Sequence, residues 1–137
     1  MTLITHQGGC HCRSVRFRIQ APAEILVQRC NCSIYQMTGF EHLIVPAAHF
    51  ELLTSPKDLD EYRFNSGVAK HLFCRQCGIK SFYVPRSNPD GYSINIRCLD
   101  TNPKRKVQYE EFDGRNWEEN ADMLSHLSKD SSHPQKS

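Results

Sequence analysis

The sequence predicts a mainly β, mostly antiparallel domain stapled by zinc, with one late helix. Three observations carry this: short apolar–polar alternations bounded by turn residues, sparse helical periodicity, and seven cysteines of which six fall in tight pairs.

Val15 to Ile19 alternates apolar and charged residues, as a half-buried strand should. Ile25-Leu26-Val27 leads as a second strand into the pair Cys30–Cys32. Ser33 to Thr38 fits one helical turn, with Gly39 to end it. His42 to Pro46 and Phe50 to Leu53 follow as short strands, and Glu61 to Phe64 alternates again before the turn signal Asn65-Ser66-Gly67. His71-Leu72-Phe73 and Lys80 to Val84 flank the pair Cys74–Cys77 like the arms of a hairpin. Pro85 to Gly91 is a loop by composition, and Tyr92 to Ile96 returns as a strand. Asn116 to Leu127 places Trp117, Ala121, Leu124 and Leu127 near one face, which predicts the late helix. Residues 1–128 therefore read as a single zinc-binding domain, and 129–137 as a polar, disordered tail.

Several classes of function are excluded at this level. A formal net charge of +2 is too small to make nucleic acid an expected partner. No run of about 18 apolar residues exists to span a bilayer, so no membrane partner is expected. MTLITHQGGCHC has no basic segment followed by an apolar one, so no secretory signal is expected, and the expected compartment is the cytosol, shared with the nucleus. In a reducing compartment, paired cysteines bind metal or do chemistry more often than they form disulfides.

Cys74-Arg75-Gln76-Cys77-Gly78 is half of a tetrahedral zinc site, and Gly8-Gly9-Cys10-His11-Cys12 is the natural other half. Cys10, Cys12, Cys74 and Cys77 together make a closed four-thiolate site of the structural kind, tying the N-terminal strand to a segment more than sixty residues away. The competing reading of the CxxC is a redox dithiol, which lacks the βαβ surroundings expected of one. Cys30 and Cys32 remain over, with Tyr35 standing where C-x-C-x-x-C would place another thiolate.

At these residues the sequence resembles a known family. GGCHCRSVRF, CNCS, FCRQCGIKSFY, PRSNPDG and RCLD, in this order, are similar to the glutathione-dependent formaldehyde-activating (GFA) domain, and within it to the centromere protein V branch. The resemblance spans about residues 6 to 118. It implies an Mss4-like fold, a β domain around a zinc-bound pair of hairpins. It implies that Cys10, Cys12, Cys74 and Cys77 hold a structural zinc, and that Cys30 and Cys32 are the first two ligands of a second, catalytic zinc. The third ligand falls on Tyr35, and here the sequence departs from the family. A phenol, with pKa near 10, must lose its proton to ligate, and as a harder ligand it predicts weaker metal retention. Cys98 is the one unassigned thiol: it either completes the second site or is a plain buried cysteine. The activity implied is that of a zinc-dependent carbon–sulfur lyase acting on a thiol–aldehyde adduct such as S-(hydroxymethyl)glutathione, with glutathione or a similar thiol as partner and Tyr35 as weak ligand or proton donor. The alternative implied by the centromere protein V branch is a non-catalytic zinc-scaffolded module associated with chromosomes or microtubules.

Other residues carry two readings each. His11, between two ligands on an extended chain, should point away from the metal. His71 is either a hydrogen-bond partner of a thiolate or a packing residue. Pro103-Lys104-Arg105-Lys106 is a solvated loop or an anion contact, and Arg86 and Arg97 are surface arginines or clamps for a thiol's carboxylate.

Overall fold

The computed structural model describes residues 2–30, 33–64, 69–102, 104–112 and 121–129, with the backbone alone at Cys30 and Ala121. Among the described residues, ten strands and one α-helix follow in the order β1 (Leu3–Gly9), β2 (Arg16–Pro22), β3 (Glu24–Cys30), α1 (Ser33–Thr38), β4 (Glu41–Pro46), β5 (Phe50–Leu52), β6 (Leu59–Tyr62), β7 (His71–Cys74), β8 (Phe82–Tyr83), β9 (Gly91–Asn95) and β10 (Lys106–Phe112). They form three sheets, ordered β1-β2-β5, β10-β3-β4-β9-β8 and β6-β7. Each pairing of these strands is antiparallel except β10 with β3. Among the described residues, no helix is long and apolar enough to cross a membrane.

The two faces of the five-stranded sheet differ, and that difference positions the site. Strand side chains alternate between faces, and partners across a ladder share one. Ile25 and Val27 of β3, Leu43 and Val45 of β4, Ile94 of β9 and Phe82 of β8 therefore lie together on one face. They join Val15, Phe17 and Ile19 in the main apolar core. The opposite face carries Gln28, His42, Ser93 and Tyr83, polar residues that are all buried. Its cover comes from two directions. Tyr35 and Phe40 pack with Tyr83 at one end, and Leu124 and Leu127 pack with Ile44 and Phe112 at the other.

The predicted strands overlap β2 through β9, with ends that differ by up to three residues. Two expectations are corrected. The segments flanking the Cys74–Cys77 pair are not the two arms of one hairpin. β7 pairs with β6 and β8 with β9, and among the described residues the one β-bridge between the flanks is Lys70–Val84. The basic run is not a loop throughout. The amide of Lys106 donates to the Ala23 carbonyl at 2.8 Å and opens β10.

The helix after Cys32 is present and ends as expected, with Gly39 at φ 71° donating to the Tyr35 carbonyl at 3.0 Å. The late segment, where described, consists of two 3-10 turns, Ala121–Met123 and Ser125–Ser128. Residues 116–120 of the predicted helix and 130–137 of the predicted tail lie outside the described residues, as does the Asn65-Ser66-Gly67 turn. Fully buried Asn88, in the loop before β9, holds this segment down. Its amide donates to the Leu124 carbonyl at 2.9 Å and to Ser128 Oγ at 2.8 Å.

Candidate metal centre and the buried histidine–tyrosine cluster

Four cysteines from two distant turns converge. Cys10 and Cys12 follow β1, and Cys74 and Cys77 end β7 and the turn after it. Their sulfurs all lie within 4.8 Å of one another. The Cys10–Cys12 and Cys12–Cys74 sulfur separations are both 3.6 Å. A tetrahedral zinc with bonds of about 2.3 Å holds its sulfurs roughly 3.8 Å apart, so the cluster has the size the ion needs. It is far too open for a disulfide, whose S–S bond is about 2.05 Å.

Local structure shapes each half. The Val15 amide donates to Cys10 Sγ at 3.3 Å, and the Gln76 and Cys77 amides donate to Cys74 Sγ at 3.3 and 3.5 Å. Donors aimed at sulfur favour the thiolate, the form that binds metal. Gly78 closes the second turn at φ 75°, where a side chain would be strained. Gly9 is needed for another reason: a Cβ there would sit 2.0 Å from the Val15 carbonyl oxygen. The structure uses this glycine for close approach.

The metal-free cluster has an uneven charge preference. Burial pushes the Cys10 thiol up to about 12, while the Ser14 side-chain hydrogen bond draws exposed Cys12 down to about 6. A cation must displace the remaining protons on entry, so binding releases protons and tightens as pH rises. His11 is exposed and Cys98 stands outside the four. The Cys98 sulfur lies 3.9 Å from the Lys80 carbonyl oxygen, and burial followed by the charge of Cys77 raises it to about 11.

The second predicted site starts from Cys30 at the end of β3. Cys32 and the Cys30 side chain lie outside the described residues. Tyr35 is described, and it is only 3% exposed on the inner side of α1. Its ring packs against Tyr83, His42 and Phe40 with centroids 4.7, 4.8 and 4.9 Å away. Its hydroxyl is hydrogen-bonded to Nδ1 of His71 on β7. His71 thus partners the phenol rather than a cysteine of the four-thiol cluster. Arg97 is 66% exposed, and the Glu41 carboxylate lies 3.7 Å from it.

Sequence reasoning missed His42, Tyr83, Ser93 and Gln28. His42 Nδ1 lies 2.9 Å from Ser93 Oγ and 3.4 Å from the Tyr83 hydroxyl. His42 Nε2 and both amide atoms of Gln28 have no hydrogen-bond partner among the described residues. The available signal was the register: once His42 pairs with Gln28 and Asn95, three polar residues share one sheet face.

Burial holds His42 down to about 3 and His71 down to about 4, against an ordinary imidazole value of 6.5. Both are neutral at physiological pH. The unfolded chain takes up protons at these histidines near pH 6.5, while the folded chain refuses them until about pH 4. Stability is therefore complete above about pH 6.5 and falls as the pH drops below it. The unfolding midpoint should fall between about pH 7 and about pH 5, and the fall should be smaller in a His71→Gln variant. An equal fall in both proteins would exclude His71 as a source of the effect.

Two comparisons with known proteins bear on this geometry. Residues 5–115 match the family model described as glutathione-dependent formaldehyde-activating enzyme. The structure is also similar to the crystal structure of a Rhodobacter sphaeroides protein, at TM-score 0.62 and 30% sequence identity, over 76% of this chain and 99% of that one.

Proposed function

Since the chain belongs to the glutathione-dependent formaldehyde-activating enzyme family, we propose that it is a zinc protein of carbon–sulfur lyase type. Its substrate would be a thiol–aldehyde adduct such as S-(hydroxymethyl)glutathione, and its turnover would be lowered by Tyr35. The observation that carries this reading is the extent of the family match, which spans both the four-cysteine cluster and the Cys30–Tyr35 segment. Cys10, Cys12, Cys74 and Cys77 would hold a structural zinc, and Cys30 and Cys32 would hold a second. Zinc at the second place would supply Lewis acidity, favouring the thiolate form of the leaving sulfur.

The rest of the chemistry falls to the chain's own residues. Cleaving the adduct removes a proton from its hydroxyl, forms the aldehyde carbonyl, breaks the C–S bond and returns a proton to sulfur. Neutral His71, held in that state by burial, is the chain's candidate to take up the proton. The apolar cover of Phe40 and Tyr83 keeps water from that exchange. The chemistry suits the cytosol, where thiols stay reduced.

One observation favours a second reading, a non-catalytic zinc-scaffolded module of the centromere protein V kind, associated with chromosomes or microtubules. Tyr35 is buried and its hydroxyl is already engaged, as befits a packing residue. Turnover of S-(hydroxymethyl)glutathione separates the two. The lyase reading expects measurable turnover that a Cys32→Ser variant abolishes. No turnover in either protein would favour the module.

A further inference from the structure

Two neighbouring buried side chains carry polar atoms with nothing to bond. Gln28 and His42 are 2% and 3% exposed. Both amide atoms of Gln28 and Nε2 of His42 have no hydrogen-bond partner among the described residues. Buried polar groups in native proteins are almost always satisfied, by the protein or by a small bound molecule, so an idle one calls for a specific explanation. Here the idle groups adjoin, because Gln28 of β3 and His42 of β4 are direct partners in the ladder. Such partners share a face of the sheet, with Cβ atoms about 4.5–5.5 Å apart.

The other ring nitrogen fixes which way His42 faces. β4 lies between β3 and β9. Nδ1 is 2.9 Å from Oγ of Ser93 on β9, and the Tyr83 hydroxyl lies 3.4 Å from the same nitrogen. Nδ1 and the Cδ2–Nε2 edge are on opposite sides of an imidazole, so a ring whose Nδ1 faces β9 turns Nε2 towards β3, the strand of Gln28. The cover over this face does not serve Nε2. The Tyr35 hydroxyl is bonded to His71, and Phe40, Leu124 and Leu127 have no side-chain donor or acceptor.

We propose that Gln28 and His42 form a buried site for one small hydroxylic molecule, held between the imidazole Nε2 and the side-chain amide. The amide presents a donor at one end and an acceptor at the other, and Nε2 donates or accepts according to the ring tautomer. A hydroxyl does both, so it fits whichever end of the amide faces the ring and whichever nitrogen carries the proton. An anion would be repelled by the amide oxygen, and a metal cation would gain no ligand from the amide nitrogen. The two side chains supply the two polar contacts that are the least a buried water takes. Two sources carry the required group: water itself, and an organic hydroxyl such as the hydroxymethyl end of an adduct. The second source rests on the lyase reading, whereas the site does not.

The test is a set of water- and methanol-selective NOE spectra of the zinc-loaded full chain. They are read at carbon-bound protons that do not exchange: Hδ2 of His42, beside Nε2, and the Hγ protons of Gln28. The native protein should show cross-peaks from a held water at both places, and Gln28→Leu should abolish the one at His42 Hδ2. Added methanol separates the sources. Methyl cross-peaks at the same protons, with loss of the water peaks, open the site to organic hydroxyls; water peaks that methanol leaves unchanged assign it to water alone. Absence of both guests, or a water peak at Hδ2 that survives Gln28→Leu, overturns the proposal. If Gln28→Leu does not fold, the native Hγ peaks decide, because no hydroxyl among the described residues bonds to Gln28 and could relay them. Turnover enters none of these readouts, so failure here and failure of the lyase reading are told apart.

Discussion

A Cys74→Ser variant is expected to unfold the whole domain rather than loosen one corner of it. Cys74 is 1% exposed, accepts two amide hydrogen bonds at sulfur and belongs to the main apolar core as well as to the four-thiol cluster. The cluster joins the end of β1 to the end of β7, elements that otherwise lie in separate sheets. Structural zinc sites contribute about 10–16 kcal/mol of apparent binding free energy in small peptides, as much as the net stability of a typical domain of about 5–15 kcal/mol. Loss of one thiolate should therefore abolish the dispersed amide spectrum and the cooperative thermal transition, and a strong chelator should do the same to the native protein. Cys98→Ser is the control. It removes a thiol outside the cluster and should cost only about 1–2 kcal/mol. A Cys74→Ser protein that melts within a few degrees of the native one would show that the four sulfurs are not a staple.

The second large effect is a gain. Tyr35→Cys should raise both zinc affinity at the second site and lyase turnover, each by at least about tenfold. Cysteine restores a soft, readily ionised ligand in place of a phenol that is hydrogen-bonded to His71. The substitution has a cost. It removes a ring in contact with Phe40, His42 and Tyr83 and leaves His71 Nδ1 without the phenol, which together should destabilise the protein by about 3–5 kcal/mol before metal is added. Greater turnover with lower metal-free stability is thus the expected pair of results. Unchanged turnover with unchanged zinc content would indicate that the Tyr35 position does not face the metal.

Much of this was legible in the sequence because the signals were local or chemical. The alternations that become β2 and β6 depend on period alone, and Gly39 and Gly78 stand where the backbone turns left-handed. The four-cysteine cluster was readable because thiolate pairs have few other uses in a reducing compartment. What was hidden depends on pairing. β10 opens within a run of basic residues, and its pairing with the distant β3 leaves no mark on its own composition. The hairpin read around Cys74–Cys77 fails because β7 finds its ladder partner in β6 instead. His42 looked like the first residue of an ordinary apolar strand. Only the register with Gln28 and the burial of both show that this strand turns a polar side towards α1.

The central claim is that the segment from Cys30 to Tyr35 still serves a metal. Zinc per chain in the purified protein, measured beside a Cys32→Ser variant, tests it most directly. The expected result is about two zinc ions in the native protein and about one in the variant, the four-cysteine staple being untouched. About one zinc in both proteins would contradict the claim.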